Sequence, residues 1–588
     1  MRLEDLGLVG NCQFSALVSR TGDVVWCCLP RFDSEPVFSS LLDEEGGRWL
    51  IGPADGSVGT QQYLPNTNVL ETRFLAPGGS FRVLDFAPRF AELERYHRPT
   101  RLVRIVEPVE GTPMVRVVCQ PRLGWSRNVP TEVQTSEHVS FDGFSSLLTL
   151  ATDTPYSYLG GRPFALTSRR YFVLSWGPPA LEEPLASTCD RQLRSTVAYW
   201  QRWVKHCDVP PLFQDEVIRS ALALKLHCFE DTGAIVAATT TSIPEAPGSG
   251  RTWDYRYCWL RDSYYVLGAL GLLGHFEERE QFVQYLLNVV GGSPSLDLAP
   301  LYRVDGTSEL QERVLENWRG FEGEKPVRIG NGAATHRQND IFGEMVLALA
   351  PVFLDERFRA ERTRDSLELV ERLAKKAIAV AGSPDAGIWE YRGNWRPQTF
   401  SSLMCWAGAD RMARVAERHV PNRAAEYRAA ADRIREQILA SGWNADRRTF
   451  VGSYGGSDLD AALLQLAPLH FLSPGDARLG STIDAIGESL TRDGWLFRYA
   501  ADDGFGQPTV AFTICSFWWV EALAAAGRHD EARAVLDRAR SARSPLGLLS
   551  EDYEASTARM WGNFPQAYSH VGLIHAAYAA SPRWTDIL

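Results

Sequence analysis

No uninterrupted run of ~18 apolar residues, the length a helix needs to cross a bilayer, occurs in this chain. No membrane helix is therefore expected. The first residues, MRLEDLGLVGNC, meet Glu and Asp at once and lead into no apolar core segment, so no secretory signal is expected. Long Lys/Arg runs are missing too. Arg411, Arg414, Arg433 and Arg435 are single charges spaced along helices, and the formal net charge is -11. An acidic surface without a basic patch disfavours nucleic acids and anionic membranes as partners. No Cys-x-x-Cys pair and no His-Glu-x-x-His spacing occurs among the ten cysteines and eleven histidines. No metal and no cofactor are expected, and His336, His570 and His575 read as packed or hydrogen-bonded side chains. Scattered thiols in apolar stretches read as free cysteines, which suits a cytoplasmic protein.

What is present is a chain of 588 residues with 45% hydrophobic and 23% charged residues, the composition of an ordinary globular protein long enough for more than one core. Its periodicity changes once. Up to about residue 188, stretches such as FSALVSRTGDVVWCCL and LETRFLAPGGSFRVLDF alternate short apolar runs with Gly, Pro and Asp turns. This predicts an antiparallel β-sandwich over 1–188. DRQLRSTVAYWQRWVKHC then has helical spacing, predicting a linker helix over 189–210.

From 211 to 588 amphipathic helices are predicted near 213–229, 259–274, 276–290, 338–354, 364–380, 399–417, 423–440, 457–470, 475–490, 510–526, 529–541 and 565–580. Twelve helices suggest six hairpins closed into an (α/α)6 barrel. VAFTICSFWWVEALAAAG (510–527) is apolar on most sides and reads as an inner helix, whereas HDEARAVLDRARSAR (529–543) is one-sided and reads as an outer one.

The stretch RTWDYRYCWLRDS (251–263) packs four Trp and Tyr rings among three arginines and two aspartates. A core has no use for the charges and a solvated loop no use for the rings. A sugar uses both, since its faces pack on rings and its hydroxyls need charged partners. Cleaving a glycosidic bond then needs two carboxyl groups, one to protonate the leaving oxygen and one to attack or to activate water. GIWEYRG (387–393) sets Glu390 between two rings in a gap between helices. LLSEDYEASTARMWGNFPQAYSH (548–570) sets Glu551 in a similar gap. From context alone either could be a surface or helix-start residue.

Taken together, LVGNCQFSALVSRTGDVVWCCLPRFDS, DYRYCWLRDS, PVRIGNGAATHRQNDIFGE, GIWEYRG, SLMCWAGADR, DLDAALLQL, FRYAADDGFG, ICSFWW, LLSEDY and GNFPQAYSH resemble, in order and over nearly the whole chain, glycoside hydrolase family 15. This is the glucoamylase, glucodextranase and bacterial trehalase group. The resemblance implies a β-sandwich followed by an (α/α)6 barrel, Glu390 as general acid and Glu551 as general base. It implies that Arg261 and Asp262 hold the hydroxyls of the non-reducing glucose, with Tyr255, Trp259 and Trp389 as rings of that subsite. Arg498 would reach the leaving-group sugar, and Gln338 and Asp340 would add polar contacts. The sequence departs from the fungal glucoamylase pattern, with Tyr391 where a second acid follows the Trp-Glu pair and Ala333–Ala334–Thr335–His336 where a tryptophan precedes the RQND segment.

The implied reaction is inverting hydrolysis of a small α-glucoside with release of β-glucose, the two carboxyls standing ~6.5–9.5 Å apart. Trehalose is the first expectation for the substrate, and α-1,4 or α-1,6 glucans are the alternative. A disaccharide phosphorylase is a further alternative, disfavoured by the Ser550–Glu551 motif where a phosphate pocket would be needed. A non-catalytic carbohydrate-binding protein is disfavoured by the presence of both glutamates. An oligomer is left open.

Overall fold

The structure, a computed structural model, describes residues 1–178, 183–291, 293, 295–393 and 395–588. Its N-terminal part holds two large antiparallel sheets. The first runs in the order Leu6–Gly10, Ser15–Ser19, Asp23–Cys28, Arg48–Pro53, Met114–Gln120, Phe164–Ala165, with Pro36–Phe38 paired to the third of these strands. The second runs Thr131–Gln134, His138–Asp142, Leu148–Thr152, Arg170–Trp176, Arg101–Gly111, Gly79–Phe86, Leu70–Ala76, Thr60–Tyr63.

Alternation places the side chains. Phe81 and Val83 enter the core shared with the first sheet. Leu84 and Phe86, and Val103 and Ile105, enter a second core on the other face. That outer core is covered by helix α1 (Leu185–Lys205) through Leu185, Cys189, Leu193 and Val197. The linker segment is thus a packed helix that starts four residues earlier than its spacing suggests. Arg104, fully buried, ties the sheets together by donating to Asp85 (2.7 Å) and to the carbonyls of Trp49 (2.6 Å) and Gly22 (2.7 Å).

Among the described residues eleven further α-helices follow: α2 (Gln214–Lys225), α3 (Leu260–Leu272), α4 (Glu277–Gly291), α5 (Asp340–Leu354), α6 (Arg364–Val380), α7 (Thr399–His419), α8 (Pro421–Ser441), α9 (Ala477–Leu490), α10 (Thr513–Ala525), α11 (His529–Ala539) and α12 (Ala567–Ala580). Contacts run α3 to α5, α5 to α7, α7 to the segment 461–466, that segment to α10, α10 to α12, and α12 back to α3. These six form a closed inner ring, with α2, α4, α6, α8, α9 and α11 outside it. The (α/α)6 barrel and its order of hairpins are as the periodicity predicts. α10 is buried on nearly all sides, while α11 buries only Ala532, Leu536 and Ala539.

The predicted helix 457–470 differs. Only Ala461–Leu466 is helical, and it is a 3-10 turn capped by Asp460. Pro468 has no N–H to continue an α-helix, and the chain leaves in tight turns.

Sandwich and barrel are joined by buried charges. Arg89 makes two bonds to Glu230 (2.8 and 2.5 Å), and Lys225 contacts Glu230 and Glu278, both at 2.6 Å. Within the barrel, α5 and α7 meet backbone to backbone. A Cβ on Gly343 would lie 2.0 Å from the Met404 carbonyl oxygen, and one on Gly408 would lie 2.8 Å from Gly343 Cα. The Gly343→Ala variant is expected to lose about 1–3 kcal/mol through overpacking. Scanning calorimetry reads this as a lower unfolding midpoint; an unchanged midpoint would mean that the two helices are not in this contact.

Candidate active site

One pocket opens at the end of the ring where the loops preceding the inner helices gather. It is walled by Tyr255, Trp259, Arg261 and Asp262 from the 251–263 stretch, Trp389, Glu390 and Tyr391 from the loop after α6, and Arg498, Phe512 and Tyr568 from later loops and helices. The stretch is two-faced. Arg251, Trp253, Tyr255, Trp259, Arg261 and Asp262 line the pocket. Asp254 and Arg256 form a buried pair (2.7 Å) turned to the sandwich, where Arg256 donates to the Ser34 carbonyl (2.7 Å) and lies over Trp125. Two of its five charged residues therefore serve the junction between the two parts of the molecule.

Glu390 sits on a tight turn. Its N–H reaches the Gly387 carbonyl (3.2 Å), and its own φ is +61°, a left-handed conformation that costs a non-glycine residue energy and here aims the side chain at the pocket. Trp259 Nε1 (2.8 Å) and Arg261 Nη2 (3.2 Å) both donate to its Oε1, so neither engages Oε2. Gln338 fastens the arrangement by accepting from Arg261 Nη1 (3.1 Å) and donating to the Gly387 carbonyl (2.7 Å). Trp389 donates to Asp460 (2.9 Å) and packs among Tyr499, Phe512 and Trp518.

Glu551 is buried behind Tyr255. A three-stranded ribbon of Ala511–Phe512, Asp552–Glu554 and Arg559–Trp561 carries it, and its Oε2 accepts the Asn563 N–H (3.0 Å). Gly562 makes room, since a Cβ there would stand 2.5 Å from the Glu551 Cβ. Oε1 is buried with no hydrogen bond among the described residues. Burial first, and the neighbouring Glu245 second, push the Glu551 carboxyl up to about 8, while the Asn563 N–H, Tyr255 and Arg498 pull it down. The Tyr255 ring meets Trp259 edge-on at 5.2 Å, which places one ring beside each glutamate's surroundings.

The sequence reading misses Glu245. It accepts from Arg498 (2.6 Å) and Trp253 Nε1 (2.9 Å), and Arg251 stands 3.7 Å away. Its signal is PEAPGSG, a Pro/Gly loop with one acid just before the aromatic stretch. Arg392, Asp503, Phe505, Gln566 and Asn331 also line the pocket unannounced. Gln338 and Asp340 do not line it. Gln338 stands behind Arg261, and Asp340 lies 3.8 Å from the same guanidinium. Among the described residues no group of three or more His, Cys, Asp or Glu is placed to hold a metal ion. No described helix is long and apolar enough to cross a membrane.

Beneath the pocket lies a cluster of acids with little compensating charge. Burial lifts Asp262 to about 7, with Arg261 pulling down and Glu390 pushing up, and burial with Asp340 lifts Asp385 to about 7. Glu344 is fully buried on α5, and neither oxygen has a hydrogen-bond partner among the described residues. Burial, with Asp340 adding repulsion, holds its carboxyl well above the ordinary range.

A closed ring of helix hairpins with an aromatic, carboxyl-bearing pocket at its loop end defines a glycosidase. Residues 212–578 match the description "Glycosyl hydrolases family 15", and residues 1–153 match "Trehalase-like, N-terminal". The chain belongs to glycosyl hydrolases family 15. It is 34% identical to a trehalase of Mycolicibacterium smegmatis, over 98% of this chain and 90% of that one. It is 33% identical to a trehalase of Mycobacterium tuberculosis, over 98% and 89%. A bacterial glucoamylase complexed with acarbose shares the fold, with a TM-score of 0.66 at 15% identity, covering 98% of this chain and 94% of that one.

The Glu344 carboxyl keeps its proton in the folded chain and loses it in the unfolded chain above about pH 4. Folding therefore binds a proton, and this contribution to stability is lost as pH rises. Glutamine cannot ionise. Glu344→Gln is expected to raise the unfolding midpoint by more at pH 8 than at pH 5; equal shifts at both would contradict the assignment.

Proposed function

We propose that this enzyme hydrolyses a small α-glucoside, trehalose first, by single displacement with inversion. Support for the substrate comes from the relatives named trehalases, similar over nearly the full length of the chain. Support for the chemistry comes from the contrast between the two glutamates. A proton on Glu390 Oε2 is compatible with both donors at Oε1, so this carboxyl can protonate the bridging oxygen. Glu551 Oε1 is buried and makes no hydrogen bond among the described residues, so this carboxylate can take a proton from water on the opposite face of the sugar. Arg261 and Asp262 hold hydroxyls at the closed end of the pocket, Tyr255, Trp259 and Trp389 supply the rings, and Arg498 faces the leaving sugar. Gln338 and Asp340 act through Arg261. The ten cysteines are free, which goes with a reducing, cytoplasmic setting.

In α,α-trehalose only one anomeric carbon is attacked, and the leaving glucose keeps its configuration. Proton NMR of fresh product should show β- and α-glucose in equal amounts before mutarotation; α-glucose alone would mean retention. Glu551→Gln should lower kcat by roughly 10²–10⁴-fold, and near-normal turnover would remove Glu551 from the role of base.

The base must be ionised, so the rising limb of the kcat/KM profile follows Glu551 and lies above the usual carboxylate range. Glu245→Gln removes a negative neighbour and frees Arg498, and both changes favour the ionised form. The limb should move to lower pH; no movement would show that Glu245 does not act on the base.

A further inference from the structure

The segment Tyr499–Pro508, sequence YAADDGFGQP, runs between Arg498 and α10 and separates three hollows. Asp503 and Phe505 line the active-site pocket. Tyr499, Ala501, Asp502, Asp503 and Gly504 line a second hollow, shared with Arg396 and Asp458. Phe505 to Pro508 line a third, against Pro247–Ser249. One short stretch is thus the common wall between the pocket and the open grooves on either side.

Few contacts hold this wall. Arg251 makes two bonds to Asp503 (2.7 and 2.6 Å) and one to the Gly506 carbonyl (2.8 Å), and the Tyr499 hydroxyl also bonds Asp503. Phe505 is 38% exposed, although it packs edge-on to Trp253 at 5.4 Å with Arg392 over its ring at 5.3 Å. Gly504 and Gly506 have φ of +98° and +90°, and nothing lies within 4 Å of where their Cβ atoms would stand. Between its buried ends, Tyr499 and Pro508, the segment is largely exposed and is held in place by these side-chain contacts at its tip.

A substrate that enters by its non-reducing end and carries more than two rings must send the rest of its chain out through the mouth, past Phe505 and Asp503. A two-ring substrate joined through both anomeric carbons has no third ring to send. We infer that Tyr499–Pro508 is a specificity wall that ends the pocket after the second sugar, and that the Arg251–Asp503 pair is its latch. The inference rests on the reading of this pocket as a two-sugar site.

The test uses the full chain, and the inhibition constants of acarbose, which has four rings, and of its two-ring acarviosin part. The reporter is the disaccharide that the wild type turns over fastest among trehalose, maltose and isomaltose. The wild type should bind the two-ring compound at least about tenfold more tightly, and Asp503→Asn and Phe505→Ala should each lose most of that preference. Either variant suffices if the other does not fold, as read by its thermal melt. Equal constants in the wild type, or an undiminished preference in a folded variant, would overturn the wall. The identity of the fastest reporter separately judges the trehalose reading, so the two can fail independently.

Discussion

The site depends on the contact in which Arg261 and Trp259 converge on one oxygen of Glu390. Arg261 is the cation among Asp262, Asp340 and Glu390, and Gln338 joins it to the turn that bears Glu390. Without the guanidinium, the acids under the pocket would repel one another in a poorly solvated space. Without the turn, whose left-handed residue is Glu390 itself, the carboxyl would not face the pocket. The barrel supplies the frame: α3 carries Arg261, and α5 and α7 approach closely enough, through Gly343 and Gly408, for the adjoining loops to meet.

The second glutamate is set by opposite means. Glu551 is enclosed and has an acid for a neighbour, so its environment makes it a stronger base than an ordinary carboxylate. In the proposed mechanism these unlike surroundings are what would let two residues of one chemical type divide the work of acid and base. Glu245 connects the two halves of this design. It accepts from Arg498 and contributes to the charge state of Glu551.

Much of this was legible in the sequence. Period-two alternation in segments such as 81–86 and 102–106 fixes which side chains face which core, and the all-round apolar character of 510–527 marks an inner helix. Glu390 stood out because rings and glycines flank it, and Glu551 because it lies in a polar gap between helices. What stayed hidden was set by contacts between distant segments. Arg256 looks like a sugar-binding residue until Ser34 and Trp125, more than a hundred positions away, are brought beside it. Glu245, Asp503 and Phe505 sit in Gly/Pro loops whose destination no local pattern encodes. The helix expected at 457–470 was shortened at both ends, by Pro468 after the turn and by the pairing of Asp460 with Tyr499 before it.

The division of labour between the two glutamates is tested most directly with α-glucosyl fluoride, whose leaving group needs little help from a proton donor. Glu390→Gln should hydrolyse it within about tenfold of the wild-type rate, while Glu551→Gln, lacking a base for the attacking water, should fall by about a hundredfold or more. Equal losses in the two variants, or the reverse order, would contradict the assignment of acid and base on which the whole account stands.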